Sequence, residues 1–163
     1  MAGTMSPISE EPLTPGHAFS DTERRAVYRA IFERRDMRRF VRGSTIPHDV
    51  LARILRAAHA APSVGLMQPW RFIRITDTTL RAKIHALVDA ERGRTATALG
   101  EREDEFLALK VEGILDCAEL LVVALGEGRE RHVFGRRTMP QMDLASAACA
   151  VQNVWLAARA EGI

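Results

Sequence analysis

The segment "ERRDMRRF" at residues 33–40 places arginines on both sides of a single aspartate. Guanidinium groups are planar donors that hold phosphate through several hydrogen bonds, so Arg34, Arg35 and Arg38 are candidates to bind a phosphorylated small molecule. Asp36 between them is expected to stay ionised, and a positioned carboxylate can orient a substrate or move a proton. The alternative is a solvated helix end, in which the positive charges offset the helix dipole and pair with Asp36 at the surface.

A second candidate is the loop "APSVGLMQPWRF" at residues 61–72, which joins a helix-like run to a strand-like run. It holds more small and polar residues than a turn requires. Gly65 would let a ligand approach the backbone, and Gln68 offers both a donor and an acceptor. These residues favour contact with a flat ring that has polar edges. The alternative is a plain connection whose two aromatic residues fill the core.

The third candidate is "FGRRTMPQMD" at residues 134–143, a loop rich in Gly, Arg and Pro between an apolar strand and a long helix. The alternative interpretation of this segment is an ordinary surface loop. The two cysteines, Cys117 and Cys149, have neither metal-ligand spacing nor the spacing of a redox pair. The sequence therefore favours a site for an organic anion and predicts no metal centre.

Composition limits the classes of protein that are compatible with this chain. Its 163 residues with 47% hydrophobic content suit one domain with a sizeable core, and a net charge of +2 is too small for nucleic acid to be the main partner. No apolar signal segment or membrane-length run is present, so we expect a cytoplasmic protein with no membrane partner. Residues 1–19 lack periodicity and are expected to form a disordered leader, which leaves residues 20–163 as the domain.

Helical signals begin at Ser20, which with Glu23 forms a capping box before a helix predicted over residues 21–35. A second helix is predicted over residues 47–61, with Pro47 at its first position. Each helix has an apolar stripe that we expect to be buried: Ala26, Val27, Ala30 and Ile31 in the first, and Val50, Leu51, Ile54, Leu55 and Ala58 in the second.

The rest of the chain alternates between strand-like and helix-like patterns. "WRFIRIT" reads as a short strand, "ELLVVALG" as an interior strand, and residues 142–162 as a long helix with small residues for close packing. A helix is predicted over residues 78–91, with Leu80, Ile84, Leu87 and Val88 on its buried face. Residues 92–105 lack a strong apolar period and are predicted to form a polar, partly mobile lid before a helical segment at 106–118.

Five stretches, taken together, resemble one family. "RRDMR", "AAHAAPSVGLMQPWRF", "LKVEGI", "GRRTMPQMD" and "CAVQNVWLAARAEG" are similar, in order and separation, to the 5,6-dimethylbenzimidazole synthase (BluB) branch of the FMN-dependent nitroreductase superfamily. Ordinary nitroreductases are similar too, but they typically carry Ser at the position of Asp36 and Asn in the loop before "QPW". The resemblance to this branch therefore rests on Asp36 and the "PSVGLMQPW" loop.

The resemblance implies an α+β fold with a central, mostly antiparallel sheet wrapped by helices, in a homodimer that binds FMN at the subunit interface. The arginines would contact the FMN phosphate and ribityl chain, and the 62–68 loop, from the same chain or its neighbour, would border the isoalloxazine ring. Asp36 would be the catalytic residue beside the flavin. The implied FMN-binding residues are Arg34, Arg35, Asp36, Met37, Arg38, Pro62, Ser63, Gly65 and Gln68.

The family reaction consumes reduced FMN with molecular oxygen as co-substrate and yields 5,6-dimethylbenzimidazole, the lower ligand of vitamin B12; a separate flavin reductase would supply the reduced FMN. This chain ends at "AEGI", where the family continues into a strand with a Gly-Trp-x-Ser motif and a C-terminal extension. We therefore expect a C-terminally truncated domain that lacks its last strand or strands, and impaired activity of this chain.

Two alternatives to this function remain open. The first is a general FMN-dependent nitroreductase or NAD(P)H oxidoreductase, or a reductase of corrinoid cobalt, in which flavin stays bound and transfers hydride. The chain has no Rossmann fingerprint, so nicotinamide would have to stack directly on the flavin. The second is a non-enzymatic module that binds an anionic partner through the basic stretch at residues 24–42, and the near-neutral total charge argues against it.

Overall fold

A computed structural model describes residues 18–126 and 138–163 as a helix-rich α+β structure with a small antiparallel sheet. Most of the predicted leader therefore lies outside the described residues. Short 3₁₀ turns occupy Val64–Leu66 and Gly100–Arg102. In chain order the elements are α1 (Asp21–Glu33), α2 (His48–His59), β1 (Trp70–Arg74), α3 (Thr78–Leu99), α4 (Glu103–Leu107), α5 (Gly113–Asp116), β2 (Leu121–Leu125) and α6 (Met142–Ala160).

Helix α1 begins at the predicted capping box. The Ser20 hydroxyl accepts a hydrogen bond from the Glu23 backbone N–H, and the Glu23 carboxylate accepts one from the Ser20 N–H at 2.8 Å. The prediction of a buried stripe on this helix was wrong, because Val27 and Ile31 are exposed and no residue of α1 is buried. The reason is the lack of a covering element: α6 is the only helix or strand of the described residues that α1 contacts.

The core forms where α2 packs against α6. Leu51, Ile54 and Ala58 of α2 are buried as predicted, although Pro47 caps the helix instead of occupying its first turn. Buried alanines on α6 allow the close approach, and the Asn153 side chain donates to the Ala57 carbonyl at 2.8 Å. This pairing makes α6 a fixed element, against which the two candidate site segments are placed.

Strands β1 and β2 pair antiparallel, with Trp70 opposite Leu125 and Arg74 opposite Leu121. Trp70 is buried and packs with Ala61 and with buried alanines of α6. Both predicted strands are therefore confirmed. The predicted interior position of β2 is not found among the described residues, where β2 pairs only with β1.

The helical hairpin after β1 differs most from prediction. Helix α3 continues to Leu99, and α4 follows, so the expected polar segment at 92–105 is mainly helical. The predicted buried face of α3 was also wrong, because Leu80, Leu87 and Val88 are exposed. A polar residue, Arg81, is turned inward on this helix since its guanidinium donates to the carbonyls of Ile75, Cys117 and Ala118, which lack partners in helix or sheet.

The helix predicted over residues 106–118 is broken into two short helices. Arg92 donates to the carbonyls of Leu107 and Leu109, at 3.1 and 2.7 Å, and so satisfies the end of α4. Helix α5 then starts at Gly113, whose missing side chain admits the Phe40 ring: a Cβ there would lie 2.7 Å from Phe40 Cε2. This contact brings the segment that follows α1 against α5.

Candidate functional site

The arginine-rich segment lies along the C-terminal half of α6 and forms one wall of a cleft of about 780 Å³. A cleft of this size is suited to a small organic ligand. The structure thus brings together the whole first group of predicted site residues. They line the cleft with two residues of α6 that the sequence prediction missed: Arg34, Arg35, Asp36, Met37 and Arg38 from the segment, and Trp155 and Arg159 from α6.

Arg34 is the most restrained of the cleft arginines that were predicted. Its Nη1 donates to the Asp36 carboxylate at 2.7 Å, and its guanidinium carbon lies 5.2 Å from the centre of the Trp155 ring. The Arg34 side chain is 28% exposed, whereas that of Asp36 is 70% exposed. An anion that enters the cleft would therefore meet a positioned guanidinium next to an accessible carboxylate.

The other two predicted arginines have different roles in the structure. Arg35 donates to the backbone carbonyls of Phe32 and Arg34 at 2.6 and 2.8 Å, and so satisfies carbonyls at the C-terminal end of α1. The exposed Arg38 side chain has no hydrogen bond or ion pair within residues 18–126 and 138–163. Arg38 is therefore a cation of the cleft lining that a ligand can recruit without breaking a hydrogen bond or ion pair of the described residues.

Arg159 adds a fourth positive charge to the cleft. It donates to the Glu33 carboxylate at 2.6 Å, and Arg29 donates to the same oxygen at 3.1 Å. These hydrogen bonds, chiefly that of Arg159, lower the pKa of Glu33 below its ordinary value. Trp155 and Arg159 lie four residues apart on α6, a spacing that puts them on one helical face. This spacing is the sequence pattern that could have indicated that both side chains line the same surface.

The second predicted group lies in the loop between α2 and β1, where two serines hold the backbone. Ser63 Oγ accepts from the Gln68 N–H at 3.0 Å, and Ser146 Oγ of α6 accepts from the Val64 N–H at 3.1 Å. The Gln68 side-chain amide donates to the His59 carbonyl at 3.2 Å. Pro62 precedes these contacts and is exposed. The loop is therefore tied to both α2 and α6.

The backbone of this loop is in an uncommon conformation. Gly65, Leu66 and Gln68 have positive φ angles of 52°, 55° and 44°, and two of these residues carry a side chain. A residue with a side chain in this conformation costs of order 1–3 kcal/mol of conformational energy. It persists only where surrounding contacts fix it, often at ligand sites. The Leu66 side chain is 86% exposed at the tip. The sequence predicts ligand approach at Gly65, which stays a prediction, and it did not indicate the positive φ angles of Leu66 and Gln68.

The structure does not bring the two predicted groups together within one chain. The loop meets α6 at Ser146, whereas the cleft meets it at Trp155 and Arg159. At 1.5 Å per residue these positions are about 14–20 Å apart along the helix. No residue of the 62–68 loop lines the cleft.

Residues 134–137 of the third candidate lie outside the described residues, and the remainder, from Thr138, leads into α6. The described ranges contain no group of three or more His, Cys, Asp or Glu residues that could hold a metal ion. Within the same ranges, no helix has the length and apolar character needed to cross a membrane.

Comparison with known proteins was made for the whole chain. A model of the nitroreductase family matches residues 31–163. The chain is 40% identical over 139 residues to a 5,6-dimethylbenzimidazole synthase of Rhodospirillum rubrum, an alignment that covers 82% of this chain and 64% of that protein. It is 36% identical over 147 residues to the enzyme of the same name from Rhodobacter capsulatus, covering 89% and 70%. The chain therefore spans less than two thirds of the length of the Rhodospirillum relative.

A solved structure has the same fold. The crystal structure of an oxidised iodotyrosine deiodinase, bound to FMN and 3-iodo-L-tyrosine, superposes with a TM-score of 0.62 at 23% identity. The superposition covers 83% of this chain and 70% of the other.

Proposed function

The chain belongs to the nitroreductase family, and on that premise we propose that it acts as a 5,6-dimethylbenzimidazole synthase, an oxidoreductase that consumes reduced FMN and molecular oxygen. The identity of 40% and 36% with two proteins of that name supports this choice over a general flavin reductase. The observation that carries the proposal is Asp36, an accessible carboxylate hydrogen-bonded to an arginine in a cleft lined with cations.

The donor set of the cleft fits the phosphate end of FMN. Arg34 and Arg38 present guanidinium N–H groups to the cleft, and Arg159, which donates to Glu33, adds a further guanidinium to its lining. Charge-assisted hydrogen bonds of this kind are about twice as strong as neutral ones. Arg35 would act mainly through its charge, because its Nη1 is engaged with backbone carbonyls. Met37 adds an exposed apolar surface to the cleft.

Asp36 would supply the proton transfers. When bound, reduced FMN supplies the electrons for the reaction with oxygen, and its fragmentation requires protons to be moved at several points. The Asp36 carboxylate lies 2.7 Å from the Arg34 guanidinium and can accept a proton at its oxygens. Its exposure lets a substrate reach those oxygens directly.

We infer that the ring-binding loop of one chain meets the cleft of a second copy. The loop residues Pro62, Ser63, Gly65 and Gln68 lie at the far end of α6 from the cleft, so one chain does not surround a ligand with both groups. The surface near the cleft is also apolar and uncovered, as expected for a dimer interface. Its large exposed residues are Val27, Tyr28, Ile31, Phe32, Met37, Phe40 and Val41.

We also propose a source of reduced FMN, a segment that covers the reacting site, and a cellular compartment. A separate flavin reductase would provide reduced FMN, as the resemblance to the family implies. The mainly helical segment at 92–105 would cover the reacting site from water. The cytoplasm is the compartment that we propose, because both cysteines, Cys117 and Cys149, are free thiols in the structure.

Replacement of Asp36 tests the proposal. Asp36→Asn keeps size and shape, so FMN binding should change little, while formation of dimethylbenzimidazole should fall by about two to four orders of magnitude. Asp49→Asn, at a carboxylate of α2 that is 72% exposed and likewise paired with an arginine but lies outside the cleft lining, is the matched control and should leave product formation unchanged. The Rhodospirillum rubrum relative serves as the positive control for the assay.

A different result would support the nearer alternative. If flavin is reoxidised without loss, and wild type and Asp36→Asn behave alike, the chain is an ordinary flavin oxidoreductase.

A further inference from the structure

Arg34 is held on two sides, unlike the other arginines of the cleft segment. Its guanidinium carbon lies over the Trp155 ring, 5.2 Å from the ring centre, and one N–H is donated to Asp36. A guanidinium has five N–H donors. Within the described residues no other acceptor lies within hydrogen-bonding distance of this group. Its remaining donors are therefore available to oxygen atoms of a ligand.

Of the two partners in this stack, Trp155 is the fixed one. It lies on α6, which is joined to α2 by the hydrogen bond from Asn153 to the Ala57 carbonyl and by the ion pair of Arg53 with Glu161 at 2.7 Å. Residues 34–47, by contrast, contain no helix or strand. Without the ring, the Arg34 side chain would keep only the contact with Asp36, which is itself 70% exposed.

We propose that Trp155 is a positioning residue, which orients the Arg34 guanidinium so that it serves the phosphate of FMN and the Asp36 carboxylate together. This inference rests on the proposed function of the cleft. Trp155 is 48% exposed, so part of its surface is not needed for packing. Tryptophan is also the aromatic residue that binds a cation most strongly.

The test measures the affinity of the chain for FMN and for riboflavin, which lacks the phosphate. Trp155→Leu should weaken FMN binding three- to tenfold, or about 0.7–1.4 kcal/mol at 1.4 kcal/mol per tenfold, and leave riboflavin binding unchanged. Trp155→Phe keeps an aromatic face and should recover most of the loss. In an Arg34→Ala background Trp155→Leu should have no further effect, because the ring acts through the arginine.

Two controls separate this role from a structural one. Leu144→Ala truncates another exposed apolar residue of α6, far from the cleft, and should leave FMN affinity unchanged. Thermal unfolding of Trp155→Leu should show a folded protein at the temperature of the binding assay, so that its loss of FMN affinity is not a loss of folding.

Three outcomes would overturn the inference. An equal loss of riboflavin binding in Trp155→Leu would mean that the ring contacts the ligand directly. Unchanged FMN affinity in Trp155→Leu, with a loss in Arg34→Ala, would refute Trp155 alone and leave the phosphate site standing. Equal affinity of wild type for FMN and riboflavin would refute the proposed phosphate site, and the role of Trp155 with it.

Discussion

Replacement of Ser146 tests how the loop between α2 and β1 is held. The Ser146 hydroxyl donates to the Met142 carbonyl at 2.6 Å and accepts from the Val64 N–H at 3.1 Å, and the residue is 4% exposed. Ser146→Ala removes the acceptor and leaves the Val64 N–H without a partner. An unsatisfied buried donor costs about 1–3 kcal/mol. Since Val64 is only half-buried, we expect a loss in the lower part of this range, about 1–2 kcal/mol.

Urea unfolding measures this loss as a lower midpoint with an unchanged slope. In a thermal scan each kcal/mol corresponds to roughly 2–4 °C for a chain of this size. Cys149→Ala is the matched control: Cys149 lies one turn further along α6 and is exposed, so its replacement should stay within about 0.5 kcal/mol of wild type. A Ser146→Ala protein as stable as this control would refute the view that Ser146 anchors the loop.

Two further predictions concern the framework of the site. Gly93→Ala should stabilise α3 by about 0.5–1 kcal/mol, because nothing lies within 4 Å of the added methyl group. Gly113→Ala should destabilise the fold, since its Cβ would collide with Phe40. Chemical unfolding of both variants checks the difference, and equal effects would contradict it. Arg53 lowers the pKa of the Glu161 carboxyl, so this pair stabilises the fold above pH 4.5 and is lost as pH falls through the lowered pKa. The Tm difference between wild type and Arg53→Gln should therefore shrink between pH 6 and pH 3, and a constant difference would contradict this.

The elements with strong local signals could be predicted from sequence. The capping box at Ser20, the apolar stripe of α2 and the β-branched run of β2 each determine their own structure within a few residues. The cluster of Arg34, Asp36 and Arg38 in one cleft was likewise predictable, because adjacent residues in a chain stay close in space.

Features that depend on distant contacts could not be predicted. Arg81 faces inward on α3, where it donates to three carbonyls from other segments. The apolar pattern of the helix does not indicate this orientation. The stack of Trp155 on Arg34 joins residues over 120 positions apart. The exposure of α1 reflects what surrounds the helix, which its own sequence does not encode.

The most direct test of the central claim is whether carbon from the flavin ring appears in dimethylbenzimidazole. The chain is incubated with reduced FMN labelled with ¹³C in its isoalloxazine ring, under oxygen and with no other acceptor, and the products are analysed by mass spectrometry. The proposed function predicts labelled dimethylbenzimidazole, formed as FMN disappears. Recovery of all the label as oxidised FMN, under conditions in which the Rhodospirillum rubrum relative forms the product, would contradict it.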